Sequence, residues 1–370
     1  MLLSPVEDNS IAPSSETKDR RLMMIFLFPS LFLVLFIAFF FKFLKADGDL
    51  TLLSKKHVKR EEIEDKVPRA FVLSGLDNCY VIWITGASRG IGEILAKQLA
   101  SLGAKLIISA RNEEELTRVK KELTDEVMVL PLDLSRGEEH LKEAVQRAES
   151  FFGASGVDYM FHNAAYERPK SMALDVTEES LKDGNNLIVR FSVKATFDVN
   201  VLGPISLTRH LCPHMLNRGR GHFVVMSSAA GKTPAPGQAV YSASKFAVNG
   251  YFHTLRSELC KRGIKVTVVC PGPVKTSTSS EASTSEQKVT SEKRVSSERC
   301  AELTIIAASH GLKEAWISYQ PVLAVMYLVQ YIPTVGYWIM DKIGENRVAA
   351  AAQKGNTYSL SLLFGKNKAS

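Results

Sequence analysis

"VIWITGASRGIGEILAKQLASLG", residues 81–103, runs from five apolar, β-favouring residues through a glycine-rich turn into a helical pattern that stops at Gly103. A short apolar run of this kind reads as a buried strand, and the apolar spacing after Gly92 reads as an amphipathic helix over 92–103. Glycines at 86, 90 and 92 sit where strand passes into helix. They let the backbone approach a pyrophosphate at the helix N-terminus, where free N–H groups and the helix dipole favour negative charge. A glycine trio alone is a weak signal. Placed between strand and helix in the first unit of an alternating chain, it is a specific one.

The alternation continues outward from this stretch. "KLIISA" (105–110) is the next strand, "NEEELTRVKKEL" (112–123) a helix, and "EVMVLPLD" (126–133) a third strand. "GEEHLKEAVQRAESFFG" is helical and "VDYMFHNAA" is strand four; further strands fall at "GHFVVMSS" and "IKVTVVCPG". Strands alternating with helices imply right-handed crossovers and a parallel α/β sheet, doubly wound and covered on both faces.

Charge then selects the dinucleotide. A carboxylate closing the second strand would accept the ribose hydroxyls of NAD. Here that strand closes "IISARN", with Arg111 and no acid, and Arg89 lies inside the glycine loop. Two guanidiniums suit a 2′-phosphate, so NADP(H) is the expected cofactor. A second pair of interest lies in "VYSASKFAVNG" (240–250), where Tyr241 and Lys245 stand four apart and share a helix face. That spacing by itself does not separate a proton-transfer pair from two neighbouring side chains.

The Gly86-x-x-x-Gly90-x-Gly92 loop, Tyr241-x-x-x-Lys245 and the serine in "VVMSSAAG" together resemble the short-chain dehydrogenases/reductases, over roughly 81–275. The resemblance implies the Rossmann fold and a set of roles. Tyr241 and Lys245 take the catalytic tyrosine and lysine, Ser228 (rather than Ser227) the serine, and Asn200 in "DVNVLG" the helix asparagine. Cofactor contacts fall on the loop with Ser88, Arg89 and Ile91 between its glycines, on Arg111, on Asp133 beside the adenine, on Asn163, and on Pro271, Gly272 and Thr276 beside the nicotinamide. Tyr241 and Lys245 also meet the cofactor. The family's Asn-Asn-Ala-Gly is "HNAA" here, which introduces His162 and Ala165; His162 reads as a packing variant. The chemistry fits those roles. A phenol with a pKa near 10 is a poor catalyst at neutral pH, and an adjacent ammonium favours the phenolate. Ser228 can hydrogen-bond the carbonyl oxygen as charge develops, and Asn200 would hold a water that resupplies the proton.

The flanks carry separate information. "LMMIFLFPSLFLVLFIAFFF" (22–41) has the length and lack of charge of a bilayer span. It is too long, with no small-x-small site after it, for a cleaved leader. Lys42, Lys45, Lys55, Lys56, Lys59 and Arg60 follow it, so the positive-inside rule puts the main domain in the cytoplasm. Lys366 and Lys368 match a retrieval signal for the endoplasmic reticulum. The expectation is an endoplasmic reticulum membrane protein with an N-terminal transmembrane anchor. Its segments are a polar tail (1–21), the anchor (22–44), a charged linker (45–80), the catalytic domain (81–312) and an aromatic extension (313–370). "KADGDLTLL" (45–53) and the tail from "GLKEAWISYQP" to "MDKIGENR" resemble a microsomal group within the family, which is membrane-anchored and reduces lipophilic carbonyls. A lipophilic small-molecule substrate and membrane lipids are thus the expected partners, and a homodimer is compatible with the resemblance.

Other classes are disfavoured. The net charge of +7 is dispersed and partly clustered beside the anchor, so no nucleic-acid surface is indicated. Cys79, Cys212, Cys260, Cys270 and Cys300 have no paired spacing, so neither a disulfide framework nor a metal site is expected. Residues 276–299 read as a mobile polar loop. Residues 315–340, rich in Tyr and Trp, read as a segment on or dipping into the membrane interface. "VPRAFVLSGLDNCY" (67–80) and "DGNNLIVRFSVK" (183–194) look inserted. They keep open a catalytically impaired splice form acting as a nucleotide-binding membrane scaffold. A luminal hydroxysteroid-type dehydrogenase is the other alternative.

Overall fold

The computed structural model describes residues 34–56 (except 39 and 44), 80–123, 126–167, 172–175, 193–275 and 293–352, with Thr357 and Leu362. The chain divides into two units, Met1–Ala46 and Asp47–Ser370. In the first, residues 34–38 and 40–43 are helical, and Val34, Leu35, Phe36, Phe40 and Phe41 are exposed. Among the described residues no helix is long and apolar enough to cross a membrane. The first twelve residues of the expected anchor, 22–33, lie outside them, as do residues 67–79, 183–192, Lys366 and Lys368.

The second unit is built on seven parallel strands in the order β3-β2-β1-β4-β5-β6-β9. They are β1 (Val81–Thr85), β2 (Lys105–Ser109), β3 (Val127–Val129), β4 (Tyr159–His162), β5 (Gly221–Met226), β6 (Ile264–Pro271) and β9 (Glu314–Ile317). Helix α1 (Leu50–Lys56) precedes β1. Then come α2 (Gly90–Ser101), α3 (Glu113–Lys120), α4 (Glu138–Phe151), α5 (Val193–Phe197), α6 (Gly203–Asn217) and α7 (Ala239–Leu259). All five residues of β1 and all six of β5 are buried, as strands covered on both faces must be. On one face Ile82, Ile84, Leu106, Phe161 and Val224 meet Leu95, Ala96 and Leu99 of α2. On the other, His162 of β4 and Phe223 of β5 pack against Phe252 of α7. The sheet reverses its winding between β1 and β4, which opens a crevice at the carboxyl ends of the strands.

Three expectations are corrected in this unit. Residues 276–292 lie outside the described residues, but the rest of the supposed polar loop is regular structure. Val295–Ser296 forms β8 beside β7 (Val274–Lys275), and α8 (Ser297–Ser309) follows at once, capped by Ser296, whose hydroxyl accepts from Arg299 N at 3.1 Å. Serine density signals loops and helix caps alike. Second, the domain does not stop at 312, because Glu314–Ile317 pairs with β6 as the seventh strand. Trp316 is thereby a sheet residue, so the start of the 315–340 segment is core; only α9 (Val322–Tyr331) and α10 (Pro333–Ala352) remain as a helical extension. Third, the charged linker begins inside the fold. Asp49 N donates to Trp316 O at 2.9 Å, Trp316 N donates to Asp49 Oδ2 at 2.9 Å, and Leu52 is fully buried. This covers the open edge of β9.

Candidate active site

The glycine loop has the geometry its residue types require. Gly86 and Gly90 have φ of +68° and +60°, in the left-handed region. A Cβ on Gly92 would lie 2.1 Å from Gly86 O, and one on Gly86 would lie 2.8 Å from Ala164 Cα. The turn is braced from β4. Asn163 Nδ2 donates to Thr85 O at 3.0 Å and to Gly86 O at 3.2 Å, while the amides of Asn163 and Ala164 both donate to Thr85 Oγ1 at 3.2 Å. Asn163 thus lines the crevice mainly by shaping the loop. On the outer side, Arg118 Nη2 donates to Ser88 O at 3.0 Å while its guanidinium grips Glu93 and Glu115. Nothing in the sequence distinguishes Arg118 from an ordinary i,i+3/i+4 surface partner of Glu115 and Glu122.

The loop opens into a cavity of about 840 Å³. Gly86, Ser88, Arg89, Gly90, Ile91 and Gly92 form its floor, and Arg111, Asp133 and Asn163 lie around it. No side chain caps the N-terminus of α2, so its first amides are left to that space. Arg89 and Arg111 are exposed at the rim. Glu115 also reaches the cavity, but Arg118 Nε holds its carboxylate at 3.0 Å. Burial pushes the Asp133 carboxyl up, but hydrogen bonds from the Ser135 hydroxyl and amide outweigh it, with help from Arg111 and Arg136, and leave it below the ordinary range. A glycine-only cradle, an uncapped helix and two rim guanidiniums fit a phosphorylated dinucleotide.

A second cavity of about 410 Å³ shares Ile91, Asn163 and Ala165 with the first. Ser228, Tyr241, Lys245, Pro271 and Gly272 all line it. Ser228 sits just past β5. Its Oγ accepts from Ala230 N at 3.1 Å, which leaves the hydroxyl proton for a second partner. Tyr241 is half-buried and Lys245 buried, one turn apart on α7. Lys245 Nζ donates to Met226 O at 2.8 Å and lies 5.6 Å from the centre of the Tyr241 ring. Burial lowers the Lys245 pKa to about 8, against the opposing pull of Cys270 and Glu167.

Asn200 occupies a widened, π-type turn (Asp198–Leu202) between α5 and α6. Its side chain makes three hydrogen bonds. Oδ1 accepts from Tyr166 N at 2.7 Å, and Nδ2 donates to Tyr166 O at 2.9 Å and to Ser244 Oγ at 3.1 Å. Ser244 Oγ in turn donates to the carbonyl of Tyr241 at 2.7 Å. The two Nδ2 protons are thus committed, and a water held here would have to meet the main chain of the turn or the second lone pair of Oδ1.

His162 is buried, with Nε2 2.9 Å from Thr208 Oγ1, and burial holds its pKa down at about 3. It is a neutral packing group at the end of β4. Thr276 lies outside the described residues. Sequence reasoning passed over Gln238, Glu167 and Arg347, which line the second cavity with Tyr241. Among the described residues no cluster of metal-ligating side chains occurs.

Comparison with known proteins agrees with this architecture. A family model described as short chain dehydrogenase matches residues 80–287. The chain is 36% identical over 331 residues to Dehydrogenase/reductase SDR family member 7 of Homo sapiens, covering 85% of this chain and 89% of that one. Among solved structures, a short chain dehydrogenase from Burkholderia cenocepacia in complex with NADP is similar with a TM-score of 0.56 at 21% identity, over 70% of this chain and 97% of that one. A 3-ketoacyl-(acyl-carrier-protein) reductase from Brucella melitensis complexed with NADH is similar with a TM-score of 0.53 at 27% identity, over 62% of this chain and 90% of that one.

Proposed function

The chain belongs to the short-chain dehydrogenase family, and from that premise we propose that it is an NADP(H)-dependent oxidoreductase interconverting carbonyl and hydroxyl groups on lipophilic substrates. The observation that carries the reading is the position of Tyr241 and Lys245. They line a compact cavity of mixed polar and aliphatic lining that shares Ile91, Asn163 and Ala165 with the cavity over the glycine loop, with Lys245 buried beside the phenol.

The bound nicotinamide would supply or accept the hydride. The remaining work falls to side chains of this protein. Gly86–Gly92 and the α2 amides would hold the pyrophosphate, Arg89 and Arg111 the 2′-phosphate, and Asp133 the adenine side. In the reducing direction the Tyr241 hydroxyl gives its proton to the substrate oxygen, and the alcohol forms as the carbonyl carbon gains hydride. Ser228 donates a hydrogen bond to that oxygen as its charge grows. Lys245 supplies positive charge that eases loss of the phenol proton, and the turn at Asn200 positions a replenishing water. Oxidation runs through the same groups in reverse.

The substrate class and the membrane setting share one support. Val322 and Val325 of α9 and Ile339, Met340 and Ile343 of α10 line the cavity, while Tyr331, Val335, Tyr337 and Trp338 of the same helices, and Ile332 between them, are exposed. Trp and Tyr favour the lipid headgroup region, so the pair would bring the cavity to a bilayer in which residues 22–44 anchor the chain, with the catalytic unit in the cytosol at the endoplasmic reticulum. Turnover of NADPH with a series of hydrophobic aldehydes and ketones tests the reading. No oxidation of NADPH with any of them would overturn it.

A further inference from the structure

Arg118, on α3, does not itself line the nucleotide cavity, yet it holds two residues that do. Its Nη2 donates to Ser88 O at 3.0 Å, inside the glycine loop, and its Nε donates to Glu115 Oε2 at 3.0 Å. Ser88 and Glu115 share the cavity with Arg89 and Arg111. The same guanidinium also meets Glu93, through Nη1 at 3.1 Å and Nη2 at 3.0 Å, and Glu122, through Nη1 at 3.4 Å.

The three carboxylates are not equivalent. Lys97 Nζ lies 2.7 Å from Glu93 Oε1 and 2.7 Å from Glu122 Oε2, so each of these keeps a cation whatever stands at position 118. Glu115 differs: among the described residues Arg118 is the one cation within ion-pair distance of it. Glu115 also sits in the first turn of α3, shortly after β2. That is the neighbourhood from which a carboxylate accepts the ribose hydroxyls of NAD. The other acid at the cavity, Asp133, is held by Ser135, whose Oγ and N donate to Oδ1 at 2.7 and 3.0 Å. A Glu115 carboxylate released from Arg118 would repel a 2′-phosphate and offer an acceptor to a 2′-hydroxyl. Both effects favour NADH over NADPH.

We propose that Arg118 is a positioning residue that sets cofactor choice through Glu115: by binding that carboxylate it keeps the rim of Arg89 and Arg111 receptive to a 2′-phosphate. The inference rests on the reading of Arg89 and Arg111 as the 2′-phosphate site. It deepens that reading by naming the group that keeps a rival carboxylate occupied.

The test titrates NADPH and NADH separately into the full chain in detergent, following nicotinamide fluorescence with no carbonyl compound present. Arg118→Met should lower the ratio of NADPH to NADH affinity roughly three- to fivefold, a modest change because both side chains of the pair are half exposed. Loss of the Ser88 contact acts on both nucleotides and cancels in that ratio. Adding Glu115→Gln to Arg118→Met should return the ratio close to the wild-type value, which no damage to the loop would do. Arg118→Lys, which keeps the charge, should retain most of it. Thermal melting reports folding; should Arg118→Met not fold, Arg118→Gln, which keeps a donor and lacks the charge, is read in the same way. A folded uncharged variant with the wild-type ratio overturns the proposal, and so does a lowered ratio that Glu115→Gln fails to restore. A wild type that binds both nucleotides equally overturns the 2′-phosphate reading itself, before any variant is compared.

Discussion

The Asn200 side-chain amide closes a ring with the backbone of Tyr166, accepting from its N–H at 2.7 Å and donating to its carbonyl at 2.9 Å. The two residues belong to different elements. Tyr166 lies in the segment after β4 that walls the nucleotide cavity, and Asn200 lies in the widened turn ahead of α6. Through Nδ2 to Ser244 Oγ, the clasp therefore ties the cofactor wall to α7, the helix that carries Tyr241.

Asn200→Ala removes all three side-chain hydrogen bonds at a buried position. At about 0.5–1.5 kcal/mol each, the loss should be about 2–4 kcal/mol of stability. NADPH affinity should fall with it, since the Tyr166 segment is released. Calorimetric melting and NADPH titration check this; a variant that melts as the wild type does and binds NADPH equally well would show the clasp to be ornamental.

Much of this architecture was legible in the sequence because its signals are local. The strand–glycine–helix succession at 81–103 specifies both the backbone conformation and the helix dipole, and each later strand announces itself as a short apolar run. What was illegible depends on distance in the chain. The clasp of Asn200 on Tyr166, the reach of Arg118 to Ser88 and the bridge from Arg347 to Gln238 join residues 30 or more positions apart, and no periodicity encodes them. Trp316 was misjudged for a related reason. Its aromatic neighbours suggested an interface segment, while its pairing in the sheet depends on β6, more than 40 positions earlier.

Arg89 and Arg111 are exposed at the rim of the larger cavity and no carboxylate closes β2. NADPH should accordingly be preferred over NADH. Arg111→Asp exchanges a donor fork for a repelling charge, and the preference should fall by roughly ten- to a hundredfold, the worth of about 1.5–3 kcal/mol of charged hydrogen bonding. Equal affinity of the wild type for both nucleotides, measured by titration, would refute the assignment.

The exposed aromatics of α9 and α10 predict how substrate partitioning matters. Lys342 Nζ sits 5.9 Å from the centre of the Trp338 ring, which leaves the ring at the surface with a cation to meet headgroups. Replacing Tyr331 and Trp338 together with serine should raise KM several-fold for a carbonyl compound carried in vesicles and leave KM for a small water-soluble aldehyde unchanged. Equal effects on both would point to the cavity itself, not to membrane contact.

Lys245 links the mechanism to pH. Its folded-state pKa of about 8 lies below that of an unfolded lysine, because burial disfavours the ammonium. The fold binds this proton less tightly than the unfolded chain does. The resulting penalty is complete below pH 8 and fades as pH rises from there towards about 10.4, where the unfolded chain also loses the proton. A shift of this size costs on the order of 3 kcal/mol at pH 7, partly offset by the bond to Met226, worth about 1 kcal/mol. Lys245→Met should therefore melt higher than the wild type at pH 7, lose that advantage near pH 10, and be inactive, since the charge that eases proton transfer is gone. Tyr241→Phe should be inactive as well while binding NADPH nearly as tightly, because only the hydroxyl is removed. For the wild type, kcat/KM in the reducing direction should fall as pH rises through about 8, when Lys245 in the free protein gives up its charge. A flat profile from pH 6 to 10, or turnover by Tyr241→Phe with any carbonyl the parent reduces, would remove Tyr241 and Lys245 from the chemistry.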